Sequence, residues 1–380
     1  MRITVPVGTR PEVIKLAGVV TALRAAGHAV RCVATGQHAD PRLAGELFAS
    51  LGCAPDATWM LPDGEGARVG ALLGNAYGEL AAHRPDVVLV LGDTYTAPLV
   101  AMAARRYGVG VAHLEAGLRS FNELSMEETN RRSMVALATL HLAPTALAAR
   151  FLAAEGVAAE RVRVVGNPVI DALRTSGVGR VPPGERSGVA VTAHRATNVD
   201  DPVRLAELVR LVTALGARLG PVTFPLHPRT RDRLRVAGSL DELAAAPGVT
   251  VTEPLGYTDM LRLLARSRLV VTDSGGLQEE ASYFGVPAIV LRRSTPRWEG
   301  VESGAAALAG LHTDRVLALA ERFTEPAALA RVAALPCPYG DGHTVERVVD
   351  VFAEPGIVDL VTPREPDYTA ADAPLPTVLA

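Results

Sequence analysis

Lysine is all but missing from this chain: 38 residues are Lys or Arg, and Lys15 is the single lysine among them. Cysteine is scarce too. Cys32, Cys53 and Cys337 are odd in number, widely spaced and form no CxxC pair, which argues against a disulfide framework or a cysteine zinc site. No apolar run reaches membrane-spanning length, and the start, Met1-Arg2-Ile3-Thr4-Val5, reads as a strand rather than a secretory leader. The net charge of −3 leaves no bulk positive field for nucleic acid or an acidic membrane. No GxGxxG follows the first strand, since Gly177-Val178-Gly179 falls in an apparent linker; GxxxxGK[ST] and HExxH are lacking, and the nine histidines do not cluster. Redox, P-loop and metal chemistry are thereby disfavoured, neither metal nor cofactor is expected, and the expected setting is a reducing cytoplasm.

What is present is a 380-residue chain, 48% hydrophobic and 21% charged, long enough for two domains with cores of their own. Near-continuous apolar runs at 2–7, 29–34, 87–91, 109–114, 139–143 and 162–165 read as strands buried on both faces. Helical patterns near 11–26, 40–51, 66–83, 95–107, 127–137 and 144–155 lie between them. A Gly, Pro and Arg-rich stretch at 173–187 marks an exposed linker, after which the alternation restarts. Its strands fall near 188–193, 222–226, 249–252, 268–272 and 287–291, and its helices near 201–218, 229–235, 257–266, 276–284 and 315–322. The expected architecture is α/β with parallel sheets: one domain over 1–172, a second over 188–353, a ligand cleft between them, and a fraying tail over 354–380.

Ligands of open parallel sheets bind beyond the carboxyl ends of the strands, and the unusual polar residues fall there. They are Gly8-Thr9-Arg10-Pro11, Gly92-Asp93-Thr94 and Glu115 to Arg119 in the first half, with His194-Arg195, His227-Pro228 and Asp273-Ser274-Gly275-Gly276 in the second. Lys15, in the first turns of a helix, offers a compact ammonium suited to phosphate. Ser274, Gly275 and Gly276 open a helix with free amides and no bulk, which fits a diphosphate, with Glu280 two turns on for a sugar hydroxyl. His194 beside Arg195 fits phosphate contact, although a satisfied core histidine has the same appearance. Asp93 and Glu115 could work on a substrate or merely cap the following helices, and Glu127-Glu128 could simply stabilise a helix start.

Taken together, these segments resemble the UDP-N-acetylglucosamine 2-epimerase family. The matching pieces are Gly8-Thr9-Arg10-Pro11-Glu12 with Lys15, Gly36-Gln37-His38, Gly92-Asp93-Thr94, His113 to Arg119, Glu127-Glu128 with Asn130-Arg131, and Gly166 to Asp171. Further on come Thr192 to Arg195, Glu253-Pro254-Leu255-Gly256-Tyr257, Thr272 to Glu280, Gly285-Val286-Pro287 and Pro338 to Gly342. Each is weak alone; the ordered set is highly specific. The resemblance implies two Rossmann-like domains of the glycosyltransferase-B type, a homodimer, and inversion at carbon 2 of a UDP-linked 2-acetamido sugar without metal or NAD.

By the same resemblance Asp93, Glu115, Glu127 and His194 are the catalytic candidates. Arg10, Lys15, His194, Leu255, Met260, Ser274, Gly275, Gly276, Glu280 and Arg297 are the substrate-binding ones. Carbon 2 bears no acidic hydrogen, so carboxylates are needed to remove its proton as UDP leaves carbon 1, and donors are needed on the departing diphosphate. The pattern departs from the family at Ala196-Thr197-Asn198, Ala39-Asp40, Met126-Glu127-Glu128 and Thr295 to Glu299, and Met260 stands where a uracil-stacking phenylalanine is expected. These changes touch the choice of sugar and a second, activating UDP-sugar rather than the core reaction. A hydrolysing epimerase, which would release UDP and free N-acetylmannosamine, and a glycosyltransferase-like UDP-sugar binder are the competing readings.

Overall fold

The computed structural model describes residues 1–37, 48–49 and 51–365. Most of the helix expected at 40–51, together with His38, Ala39 and Asp40, lies outside the described residues, as does the chain beyond 365. The chain divides into two compact units, Met1–Ala172 with Gly340–Ala380, and Leu173–Tyr339.

The first unit begins β1 (Arg2–Val7), α1 (Arg10–Ala25), β2 (Ala29–Ala34), β3 (Ala57–Thr58), α2 (Glu65–His83), β4 (Val87–Leu91) and α3 (Thr96–Arg106). It continues with β5 (Gly110–Leu114), α4 (Met126–Leu137), β6 (Leu140–Ala143), α5 (Ala146–Ala154), β7 (Val162–Val164) and α6 (Pro168–Thr175), the last of which carries the chain across the division. All strands pair in parallel, in the order β3-β2-β1-β4-β5-β6-β7. Every residue of β4 and β5 is buried, which explains why these strands read as unbroken apolar runs. α1 buries Val13, Leu16, Val20 and Leu23, spaced to share one helical face.

The second unit holds β8 (Val189–Thr192), α7 (Ala196–Val199), α8 (Pro202–Leu219), β9 (Val222–Pro225), α9 (Pro228–Val236), α10 (Leu240–Ala245), β10 (Val249–Thr252) and α11 (Tyr257–Arg266). After these come β11 (Leu269–Thr272), α12 (Gly275–Phe284), β12 (Ala288–Val290), α13 (Trp298–Glu302), β13 (Ala306–Leu308), α14 (Thr313–Thr324) and α15 (Pro326–Ala334). Its sheet is again wholly parallel, in the order β10-β9-β8-β11-β12-β13.

The domain limits expected at the carboxyl end need correction. The second unit stops at Tyr339 rather than 353, and α16 (Thr344–Ala353) and α17 (Ile357–Val361) belong to the first. Val348, Val351, Phe352, Ile357 and Val361 are buried in the same core as Ile3, Leu16 and Val20. At about 1.5–3 kcal/mol per buried apolar side chain, this docking accounts for an ordered segment at 354–361 where a fraying tail was expected. The 173–187 stretch is not a bare linker either. Arg186 is buried and donates to the carbonyls of Phe284 and Gly285 at 2.8 and 2.5 Å.

Candidate functional site

Strand order reverses between β1 and β4 in the first sheet and between β8 and β11 in the second, the places where such sheets open a ligand crevice. The loops leaving those four strands carry Gly8-Thr9, Gly92-Asp93, Ala193-His194 and Asp273-Ser274.

In the first unit, Glu12 sits in the first turn of α1 and turns back to accept from the amides of Gly8 and Thr9, while its other oxygen takes the Thr94 hydroxyl at 2.6 Å. This capping box ties the loop after β1 to the loop after β4. Burial, aided by the charge of Asp93, pushes the Glu12 carboxyl up to about 7 against those three hydrogen bonds. Gly8 must lack a side chain, since a Cβ there would lie 2.6 Å from the Thr96 hydroxyl and from Gln37 Oε1.

Glu115 is buried at the end of β5 and is one of three non-glycine residues with positive φ (64°) among the described residues. Such a backbone conformation is costly, and it places the carboxylate in an ion pair with Lys15. Both partners are almost fully buried. Lys15 thus serves a carboxylate 100 positions away in the sequence.

Asp93 follows Gly92, whose φ of 67° suits glycine. Its carboxylate is gripped by Arg131 of α4 through Nε at 2.9 Å and Nη2 at 2.7 Å, and Asn130 Nδ2 donates to its main-chain oxygen at 2.8 Å. The Arg131 Nη1 pairs with Glu128. Glu128 is itself buried and accepts from the amides of Ser120 and Phe121 at 2.8 and 3.1 Å. Burial raises the Glu128 carboxyl, but the Ser120 amide and the Arg131 charge outweigh it and the net shift is downward. Glu127, by contrast, is half-buried and takes the Ser125 hydroxyl at 2.6 Å. His113 is buried, with Nε2 2.8 Å from the Gly92 carbonyl, and burial drops its pKa to about 4. Arg10, at the first position of α1, is exposed.

In the second unit the organiser is Asp273, fully buried. It accepts from the amides of His194 and Arg195 at 3.1 and 3.0 Å and from Asn198 Nδ2 at 3.0 Å, which closes the loop after β8 onto the end of β11. His194 Nδ1 lies 3.3 Å from Asp273, and the ring stacks on His227 with centroids 5.2 Å apart. Burial lowers the His194 pKa despite the opposing pull of Asp273. Ser274 caps α12, and the amides of Gly275 and Gly276 open the helix half-buried, without intrahelical partners. A Cβ on Gly275 would come within 3.4 Å of the Arg297 guanidinium, whose Nε is held by Glu279 at 2.8 Å. Glu280 and Arg297 are buried beside this opening turn. Leu255 and Met260, both half-buried, lie after β10 and in α11, which packs on α12.

Arg10, Lys15, Asp93, Glu115 and Glu127 therefore belong to the first unit, and His194, Leu255, Met260, Ser274, Gly275, Gly276, Glu280 and Arg297 to the second. Sequence reasoning gave no site role to Glu12, Thr94, Arg131, Asn198 or Glu279, and read Glu128 only as a charge at a helix start; these residues fix the others in place. The signal available was the crowding of charge at strand ends.

Comparison with known proteins agrees with this frame of two parallel-sheet domains of the glycosyltransferase-B type. A family model described as UDP-N-acetylglucosamine 2-epimerase matches residues 21–353. The UDP-N-acetylglucosamine 2-epimerase of Methanocaldococcus jannaschii is 33% identical, covering 93% of this chain and 99% of the relative. The crystal structure of the Methanocaldococcus jannaschii UDP-GlcNAc 2-epimerase in complex with UDP-GlcNAc and UDP superposes with a TM-score of 0.81 at 32% identity, covering 93% of this chain and 99% of that one. The UDP-2,3-diacetamido-2,3-dideoxy-D-glucuronate 2-epimerase of Pseudomonas aeruginosa is 34% identical, over 93% of this chain and 100% of its own. With matches running nearly end to end and both sheet switch points bearing the family's polar residues, the chain belongs to the UDP-N-acetylglucosamine 2-epimerase family.

Proposed function

We propose that this chain is a sugar-nucleotide 2-epimerase that interconverts UDP-N-acetylglucosamine and UDP-N-acetylmannosamine, or a closely related UDP-2-acetamido sugar. The observation that carries the reading is the pair of braced carboxylates beside one switch point: Glu115 held by Lys15 and Asp93 held by Arg131. A nucleotide binder without chemistry has little use for two acids so expensively placed.

In this reading a carboxylate removes the hydrogen from carbon 2 while the bond from carbon 1 to UDP breaks. UDP leaves with the electron pair and a glycal remains. Returning a proton to the opposite face of carbon 2, with UDP re-adding at carbon 1, yields the epimer. Asp93 and Glu115 serve proton transfer and the developing ring cation, with Glu127 and His194 as further candidates. An ammonium has three donors, so Lys15 can hold Glu115 and still meet a substrate oxygen. Ser274, Gly275 and Gly276 offer amides to the diphosphate at the positive end of α12, with His194 and Arg297 of the same unit, and Arg10 is the first unit's candidate for a phosphate oxygen. Glu280, Leu255 and Met260 contact the nucleoside. We place the enzyme in the cytoplasm as a homodimer. The free thiols at Cys32, Cys53 and Cys337 support the compartment, family resemblance supports the dimer, and light scattering tests it.

The deciding experiment is incubation with UDP-N-acetylglucosamine in deuterium oxide, followed by proton NMR. Loss of the carbon 2 proton signal in intact UDP-sugar, with the mannosamine epimer growing in, is the expected result. Net release of UDP and free sugar would assign a hydrolysing enzyme, and no exchange at carbon 2 would end the epimerase reading. Given the Pseudomonas aeruginosa relative, the diacetamido glucuronate nucleotide should be run in parallel.

A further inference from the structure

The first unit has a second concave feature, at the opposite ends of its strands from the loops described above. The connections that lead into β5, β6 and β7 frame an open pocket of ≈ 680 Å³, a volume typical of small-molecule sites. Its walls carry Arg105, Arg132, Arg161 and Arg364, with His141 of β6 and Glu155 beside them. Val135 and Val157 add apolar surface.

The charge balance there is uneven. Among the described residues Glu155 is the only carboxylate on the lining, and Arg119 already occupies both its oxygens at 2.6 and 2.5 Å. Arg132 has only Glu128 within ion-pair range among the described residues, at 3.8 Å. Arg161 donates to the Thr139 carbonyl at 3.0 Å and Arg364 to the Asp359 carbonyl at 2.7 Å, neutral acceptors that leave the charge uncompensated. Among the described residues Arg105, Arg161 and Arg364 have no ion-pair partner. His141 is buried, and its Nδ1 has no hydrogen-bond partner among the described residues. A buried polar atom left this way is uncommon. Planar guanidinium forks around an open basic pocket match the oxygens of a phosphate better than a single carboxylate.

From this juxtaposition we infer that the pocket is a binding site for a small phosphate-bearing anion of nucleotide size or less, separate from the catalytic loops. Its floor is one strand from them: His141 pairs in register with His113, whose ring bonds the Gly92 carbonyl ahead of Asp93.

The test is a titration of the full chain with inorganic pyrophosphate at constant ionic strength, reading the His141 imidazole resonances by NMR, assigned with a His141→Asn variant. The expected result is a saturable shift whose half-saturation concentration rises at least about tenfold in an Arg105→Ser/Arg364→Ser variant, the loss of roughly one charge-assisted contact. Both arginines are exposed, so that variant should keep the fold. UMP in place of pyrophosphate separates the sources: tighter saturation by UMP assigns a nucleotide, and tighter saturation by pyrophosphate assigns a bare phosphoanion. His141 resonances that ignore both ligands, or that respond equally in the double arginine variant, overturn the site.

Discussion

Replacing Lys15 with Met puts the argument for the site under direct strain. The ammonium and the Glu115 carboxylate are buried together, with side chains only 10% and 5% exposed. Methionine keeps much of the lysine stem's volume and removes the charge, so Glu115 is left in a low-dielectric setting without its counterion. Removing one partner of a buried pair costs about 3–5 kcal/mol, because the survivor's desolvation is no longer offset. At roughly 2–4 °C per kcal/mol for a domain of this size, the melting transition of the first unit should fall by about 6–20 °C. Differential scanning calorimetry at neutral pH reads this. The double variant Lys15→Met/Glu115→Gln carries no buried charge at the pair and should recover more than half of the loss. A single variant within about 1 kcal/mol of the parent, the value of an exposed pair, would show that the ion pair is not buried in solution. A double variant no better than the single would show that lysine's packing, not its charge, is what matters.

Asp93→Asn should cut turnover by at least about 10²-fold while UDP affinity stays within a few-fold; steady-state rates and calorimetric titration with UDP check both. Arg10→Ala should weaken UDP binding by about 1.5–3 kcal/mol if its contact is charge-assisted, and unchanged affinity would remove Arg10 from the diphosphate site. Glu12 has a folded-state pKa of about 7 against an ordinary 4.5, so the folded protein keeps a proton that the unfolded chain has released between those values. Stability should therefore fall as pH rises from 4.5 to 7 and level off above it, and Glu12→Gln should flatten that slope in urea titrations. Burial lowers the His194 pKa; a bound diphosphate adds negative charge beside the ring and should raise it, a shift visible in the imidazole signals on adding UDP.

The strand-end loops could be read from sequence because strands buried on both faces leave unbroken apolar runs, and whatever polar group follows is conspicuous. Two of the short edge strands could not, although β7 and β10, also at sheet edges, were read at 162–165 and 249–252. β3 and β13 span two and three residues, below the length at which any periodicity shows. Nor does local pattern say which core a segment will join, which is why residues 344–353 fell within the expected second domain but, as α16, pack on the first. Of the adjacent acids Glu127 and Glu128, the phase of α4 turns the second inward onto Ser120 and Arg131. Neighbours on a helix point about 100° apart, and one residue of phase decides which of them is buried.

Sequence by itself determined the parallel α/β alternation, the two-domain plan and the families of polar residues at the strand ends, since all of these follow from local pattern and spacing. Tertiary structure alone decided the partnerships: Lys15 with Glu115, Arg131 between Asp93 and Glu128, and Asp273 closing the loop of His194. Apart from Glu128 and Arg131, neighbours on α4, those pairs join residues from separate elements, and a buried charge takes whichever counterion the sheet order brings beside it. No reading along the chain contains that order, because it arises only when the strands pair.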